Sequence, residues 1–124
     1  MEDKDPLTFA LIGAAIEVHR VLGPGLLECL YHRALRFELS SRGIDFRSEV
    51  PVPVNYKGEN LGDDLRIDLI VQDRLVVEIK AVDQLHPIHE AQLITYLKLT
   101  GIHTGLLINF NVRLLKDGVK RMVL

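Results

Sequence analysis

The chain has 124 residues, enough for one hydrophobic core and too few for two. Its 48% hydrophobic and 26% charged content is that of an ordinary globular protein and excludes a disordered chain. The formal net charge of −2 excludes a broadly basic surface, so a role on nucleic acid needs a local basic patch, a bound cation or help from another subunit or protein.

No apolar run reaches the ~18 residues of a membrane span. The acidic start, Met1-Glu2-Asp3-Lys4-Asp5, lacks the basic-then-apolar opening of a signal peptide, so a cytoplasmic protein with no membrane partner is expected. Cys29 stands alone and cannot form an internal disulfide, in keeping with a reducing compartment.

Asp5-Pro6 reads as a helix N-cap followed by proline at the first helical position, where its missing N–H costs nothing. Leu7, Ala10, Leu11, Ala14, Ala15, Val18 and Leu22 recur at helical spacing, and Gly23-Pro24 supplies the stop. Glu17, His19 and Arg20 fall at its polar end and read as solvated surface. A glycine-rich turn then runs into a second helix that ends near Arg42-Gly43, with Leu27, Leu30, Tyr31, Ala34, Leu35 and Leu39 as its expected buried stripe. Glu28 lies in its first turn, where the helix dipole favours a carboxylate; the functional alternative is a third acid reaching toward a site. His32 and Arg33 carry the same two readings, with surface favoured.

Pro51 and Pro53, two apart between Ile44 and Tyr56, point to an edge strand or one with an irregular middle. Lys57 to Asn60 reads as a turn. Leu65 to Val71 and Leu75 to Lys80 are then two strands of a hairpin, completing a three-stranded antiparallel meander. If Gln72, Asp73 and Arg74 form a three-residue loop, Val71 pairs with Leu75 and Asp68 lands opposite Glu78. A two-residue turn would send Asp68 to the other face, because a one-residue slip reverses every side chain. Glu78 and Lys80 share a face by strand alternation.

His86-Pro87 opens a third helix and Gly101 closes it; Ile88, Ala91, Ile94 or Thr95 and the Leu97 to Leu99 region carry the helical spacing. His86 and His89 are three apart, but no glutamate lies between them and no third histidine follows, so a zinc motif is not complete. Gln92 and Tyr96 share a face, which is either a polar stripe or a contact with a site on the sheet. Thr104 to Phe110 is a strand covered on both faces, joined through the helix to a parallel neighbour. Asp117-Gly118 turns the chain into a last strand or tail, and Arg113, Lys116, Lys120 and Arg121 make that end basic.

Two opposed carboxylates repel unless something positive lies between them. Magnesium takes oxygen ligands, keeps several waters and is commonly held by one or two carboxylates plus substrate phosphate, a demand that Asp68 and Glu78 meet. Lys80 could orient or help deprotonate a water, or offset charge on the transition state. The structural alternative is a buried salt bridge of Lys80 to Asp68 and Glu78, which seldom outdoes apolar packing.

Asp68, a gap of nine residues and then Glu78-Ile79-Lys80 resemble the core motif of the PD-(D/E)XK nuclease superfamily, and Gln92 with Tyr96 resembles its helical motif. Gly25-Leu26-Leu27-Glu28-Cys29-Leu30-Tyr31 is similar to the signature of the GxxExxY protein family. The blocks Arg66 to Leu69, Val77 to Ala81 and His89 to Leu93 also resemble that family, over a stretch from about Leu7 to Val123. The superfamily's proline before the first acid is replaced by Ile67. The resemblance implies an α/β fold with a restriction-endonuclease-like core, a mixed sheet flanked by helices. It implies that Asp68, Glu78 and the Ile79 carbonyl bind Mg2+, or Mn2+ in its place, that Lys80 serves the attacking water, and that Glu28 and Gln92 complete the site. Arg66, in the first of these blocks, and Tyr96, in the helical motif, are expected to face substrate.

The expected activity is Mg2+-dependent hydrolysis of DNA phosphodiesters. The alternative is a binding or regulatory module that keeps the fold without cleaving, which the negative charge favours. A chain of 14.0 kDa cutting both strands of a duplex is expected to act as a homodimer.

Overall fold

Asp5 caps the first helix as its position predicts: its carboxylate accepts from the Leu7 N–H at 3.1 Å and the Thr8 hydroxyl at 2.8 Å. The computed structural model describes residues 5–124; Met1 to Lys4, most of the acidic start, lie outside the described residues. Helix α1 (Pro6–Leu22) buries Leu7, Leu11, Ala14, Ala15 and Val18 and stops at Gly23, whose φ of 68° is left-handed. Helix α2 (Glu28–Ser41) follows and packs on α1.

Strand β1 (Phe46–Val52) leads through a small hairpin, β2 (Asn55–Tyr56) and β3 (Glu59–Asn60), into β4 (Leu65–Val71) and β5 (Leu75–Lys80). Helix α3 (Pro87–Thr100) crosses to β6 (Thr104–Asn109), and a 3-10 turn (Leu115–Gly118) precedes β7 (Val119–Val123). The main sheet has the order β1-β4-β5-β6-β7. Only the β5–β6 pair is parallel among these neighbours, as expected where a helix makes the connection. Pro51 does lie on an edge strand, where its missing N–H breaks no ladder.

The sheet divides the core in two. Leu69, Val71, Leu75, Val77, Ile79, Leu106 and Ile108 meet α1 and α2 on one face, whereas Ile67, Ile70, Val76 and Leu107 meet α3 on the other. The result is the mixed sheet flanked by helices that the sequence led us to expect. Among the described residues, no helix is long and apolar enough to cross a membrane.

Several local expectations change. Leu27 is 70% exposed, because α2 begins one residue later and leaves Leu27 as an extended cap, and Leu30 stays on the exposed flank. The buried stripe of α2 steps by four through Tyr31, Leu35 and Leu39, and His32, read as surface, is buried with it. On α3 the buried face is Leu93, Tyr96 and Leu97; Ile88 and Leu99 are turned more than about 100° from it and stay exposed. His19, also read as solvated, is half-buried with Nε2 2.7 Å from the Val112 carbonyl. Glu59 and Asn60 are strand rather than turn, and the Asp117-Gly118 turn is the end of the 3-10 segment.

At Gly105 α3 lies close on the sheet, since a Cβ there would lie 2.8 Å from Leu93 Cδ1. Gly105→Ala is expected to destabilise the protein by about 1–3 kcal/mol through overpacking, read as a lower urea midpoint with an unchanged m-value.

Candidate active site

The β4–β5 hairpin closes through the three-residue loop Gln72-Asp73-Arg74, in which Gln72 and Asp73 take left-handed φ values of 51° and 54°. Val71, Ile70 and Leu69 pair in turn with Leu75, Val76 and Val77. Continuing that register sets Asp68 across from Glu78, and at this point side chains replace the backbone ladder. The Asp68 N–H donates to Glu78 Oε2 at 2.9 Å, and the Ile79 N–H donates to Asp68 Oδ2 at 2.8 Å. Each carboxylate thus binds the backbone of the opposite strand, and the two acids are drawn together between them.

Glu78 is buried, and its carboxyl is pushed up to about 8, first by burial and then by the charge of Asp68. Asp68 is half-buried and also raised, chiefly by burial, against the opposing pull of the Ile79 amide, His32 and Lys80. Lys80 is half-buried at the end of β5. Among the described residues it makes no ion pair within 4.0 Å, so the structure does not have the buried salt bridge that offered a purely structural reason for this lysine.

Glu28 stands at the head of α2. The residue as a whole is exposed, yet its carboxyl is raised by burial; Lys80 and His32 pull it down and Asp68 pushes it up, so these charges share one field. Its placement has a local cause. The Tyr31 hydroxyl donates to the Gly23 carbonyl and accepts from the Leu26 N–H at 3.1 Å, while its ring stacks on Phe110 with centroids 4.7 Å apart. Tyr31 therefore pins the turn from Gly23 to Leu26 that starts the helix, and Gly25 supplies the left-handed φ of 99° which that turn requires.

Helix α3 contributes a stripe of His89, Gln92 and Tyr96 at spacings of three and four. His89 Nδ1 accepts from the His86 N–H at 3.1 Å, and its imidazole is lowered by burial and then by Lys80. The Tyr96 hydroxyl is pushed up to about 12 by burial, then by Glu78 and Asp68, so it stays a neutral donor at physiological pH. It lies a long 3.4 Å from the Arg66 carbonyl. Gln92 is half-buried on the stripe between these two residues. The Arg66 guanidinium is exposed and donates to the Asp63 carbonyl at 2.7 Å.

Two residues beside this site were not among the expected site residues. His32 reaches the Asp68 carbonyl with Nε2 at 3.2 Å. Asn109, 2% exposed at the end of β6 opposite Lys80, exchanges two hydrogen bonds with the Val82 backbone at 3.0 and 2.9 Å and so fastens the segment that follows Lys80. The only sequence signal for Asn109 is an amide closing an otherwise apolar strand.

The donor set suits a hard divalent cation. Asp68 and Glu78 supply oxygens, and each has one carboxylate oxygen beyond the one engaged by a backbone amide. Among the described residues, no three His, Cys, Asp or Glu side chains converge to enclose an ion, which argues against a zinc site at His86 and His89. It also means that Glu28 does not close with Asp68 and Glu78 into a three-ligand cluster. Few protein ligands, with other positions left to water or phosphate, is the pattern of magnesium enzymes.

A mixed sheet flanked by helices, with two acids and a lysine at a hairpin where the ladder opens, has the build of a restriction-endonuclease-like nuclease core. The family model of the PD-(D/E)XK nuclease superfamily matches residues 5–122, and the chain belongs to that superfamily. Its members generally use divalent metal ions, and the membership suggests nuclease chemistry on nucleic acid. No significant match was found among curated proteins or among solved structures.

Proposed function

We propose that this protein is a Mg2+-dependent nuclease that hydrolyses DNA phosphodiester bonds, and that it falls within the GxxExxY group of the superfamily. The observation that carries the reading is the reciprocal clasp of Asp68 and Glu78, which sets two acids together where burial raises both carboxyls and a cation between them would favour their charged forms. The pinned turn ahead of Glu28 supports the narrower assignment, because it gives the glycine, the glutamate and the tyrosine of that signature one physical task.

In this reading Asp68, Glu78 and the Ile79 carbonyl would hold the cation. When bound, the cation supplies Lewis acidity toward the phosphoryl oxygens. Lys80 orients the attacking water and offsets negative charge as the water oxygen bonds to phosphorus and gives up a proton to solvent, while the opposite P–O bond breaks and the departing oxygen leaves with its electron pair. Glu28 and Gln92 orient that water, Arg66 meets the sugar-phosphate backbone, and Tyr96, 3% exposed, backs the Arg66 main chain from the α3 side. The protein's slight negative charge makes affinity for DNA depend on the cation, and on a second copy of the chain where a duplex is cut.

Purified protein incubated with single-stranded, duplex and branched DNA is expected to cleave at least one of them with Mg2+ or Mn2+ and none with a chelator. Cleavage that survives chelation overturns the metal mechanism. Failure on every substrate favours the non-cleaving module.

A further inference from the structure

The Asp68 peptide unit sits at a break in the sheet on both of its sides. Toward β1 the ladder pairs Ser48 with Leu69 and then Val50 with Ile67, passing over Glu49 and Asp68. Toward β5 it ends at the Leu69–Val77 pair. Glu49 has a φ of 53° there, a left-handed value that a glutamate adopts only under constraint. The alternation of faces fails at the same place. Leu69 packs toward α1 and α2 but Ile67 toward α3, and Phe46 and Val50 divide in the same way across Glu49. Both strands turn over at this point.

A backbone that leaves its ladder must find other partners for its buried polar groups. The Asp68 N–H has Glu78. The Asp68 carbonyl has His32, whose Nε2 lies 3.2 Å away. A carbonyl can only accept, so Nε2 carries the proton and Nδ1 is left facing Glu49 Oε1 at 3.8 Å. Ser48 Oγ lies 3.4 Å from the same Nε2. His32 is 9% exposed, one helical turn beyond Glu28, and reaches a carbonyl 36 residues away in sequence.

We propose that His32 is a positioning residue: by taking the Asp68 carbonyl it keeps β4 turned over at that residue and holds the Asp68 carboxylate between β4 and β5. The functional consequence rests on the reading of Asp68 and Glu78 as a metal-binding pair; the positioning itself does not.

The test compares His32→Leu, which fills the space without a donor, with His32→Gln, whose amide restores one. The Ile79 amide reports directly, since it donates to Asp68 Oδ2, and hydrogen exchange followed by NMR reads it without any metal. In the leucine variant the Ile79 and Asp68 amides are expected to exchange at least about 10-fold faster while Leu69 and Val77 keep their rates, and Mn2+ affinity by electron paramagnetic resonance falls at least about 10-fold. The glutamine variant should recover both readouts to within about threefold, an outcome that a space-filling role does not predict. If the leucine variant fails to fold, His32→Met supplies the donor-free comparison. Unchanged exchange at Ile79 in a folded donor-free variant, or no recovery with glutamine, overturns the proposal. Wild-type protein that binds no Mn2+ while the exchange pattern holds leaves the positioning intact and removes the metal reading instead.

Discussion

Lys80→Ala is expected to slow Mg2+-dependent DNA cleavage by about 100- to 10,000-fold while changing stability by less than ~1 kcal/mol. The asymmetry follows from what Lys80 does and does not touch. Its backbone belongs to the sheet, paired with Asn109 and accepting from the Phe110 N–H at 2.9 Å, and alanine keeps those bonds. Its side chain makes no ion pair within 4.0 Å among the described residues, yet its charge acts on Glu28, Asp68, Glu78 and His89. A cation held near several acids without being neutralised by contact with any one of them is available to a water or a phosphoryl oxygen. Lys80→Arg keeps the charge but changes the donor geometry, and should fall between the two. The measurement is the single-turnover cleavage rate at saturating metal, with urea unfolding as the control. Activity within threefold of wild type would remove Lys80 from the mechanism.

The second large effect is a stability that depends on pH in an unusual direction. Glu78 titrates near 8 in the folded protein and near the ordinary 4.5 when unfolded, so between these values the folded state holds a proton that the unfolded chain has released. Its contribution is fully present below about pH 4.5 and is lost as pH rises toward about 8, and Asp68, also raised, acts in the same sense. Glu78→Gln keeps an oxygen to accept from the Asp68 N–H but cannot ionise. Metal-free wild type and this variant should be nearly equal in stability at the acid end, with the variant ahead by roughly 3–5 kcal/mol at pH 8. Mg2+ should close part of that gap for wild type alone, by about 2.7 kcal/mol when it is present at 100 times its dissociation constant. Urea denaturation across the pH range reads all three arms. A gap that stays flat with pH would mean that Glu78 is already ionised in the folded, metal-free protein.

Much of the fold was written in local chemistry. Asp5-Pro6 and Pro87 with Gly101 bounded two helices, because caps act on their own few residues. The paired prolines marked an edge strand, and the parity of the loop between Val71 and Leu75 set the hairpin register. What stayed hidden depends on distant partners. Helical periodicity could not tell that Leu27 falls just outside α2, nor which way α3 would roll onto Gly105. His32 sits one turn from Glu28 between Tyr31 and Arg33, and nothing nearby in sequence hints that its ring will reach a strand carbonyl 36 residues on. The two acids and the lysine were conspicuous for the opposite reason: charge in a run that packing alone would have made apolar.

The clasped hairpin also limits how this stretch can vary. Asp68 and Glu78 face each other across a loop of three residues, so the nine residues between them are three from each strand plus the loop. Lengthening the strands adds one residue to each side at once. Insertions that keep the acids together under the same loop therefore come in pairs, and the separation between them stays odd. A single inserted residue must be absorbed by a bulge or by a different loop, or it carries Glu78 and Lys80 to the opposite side of the sheet.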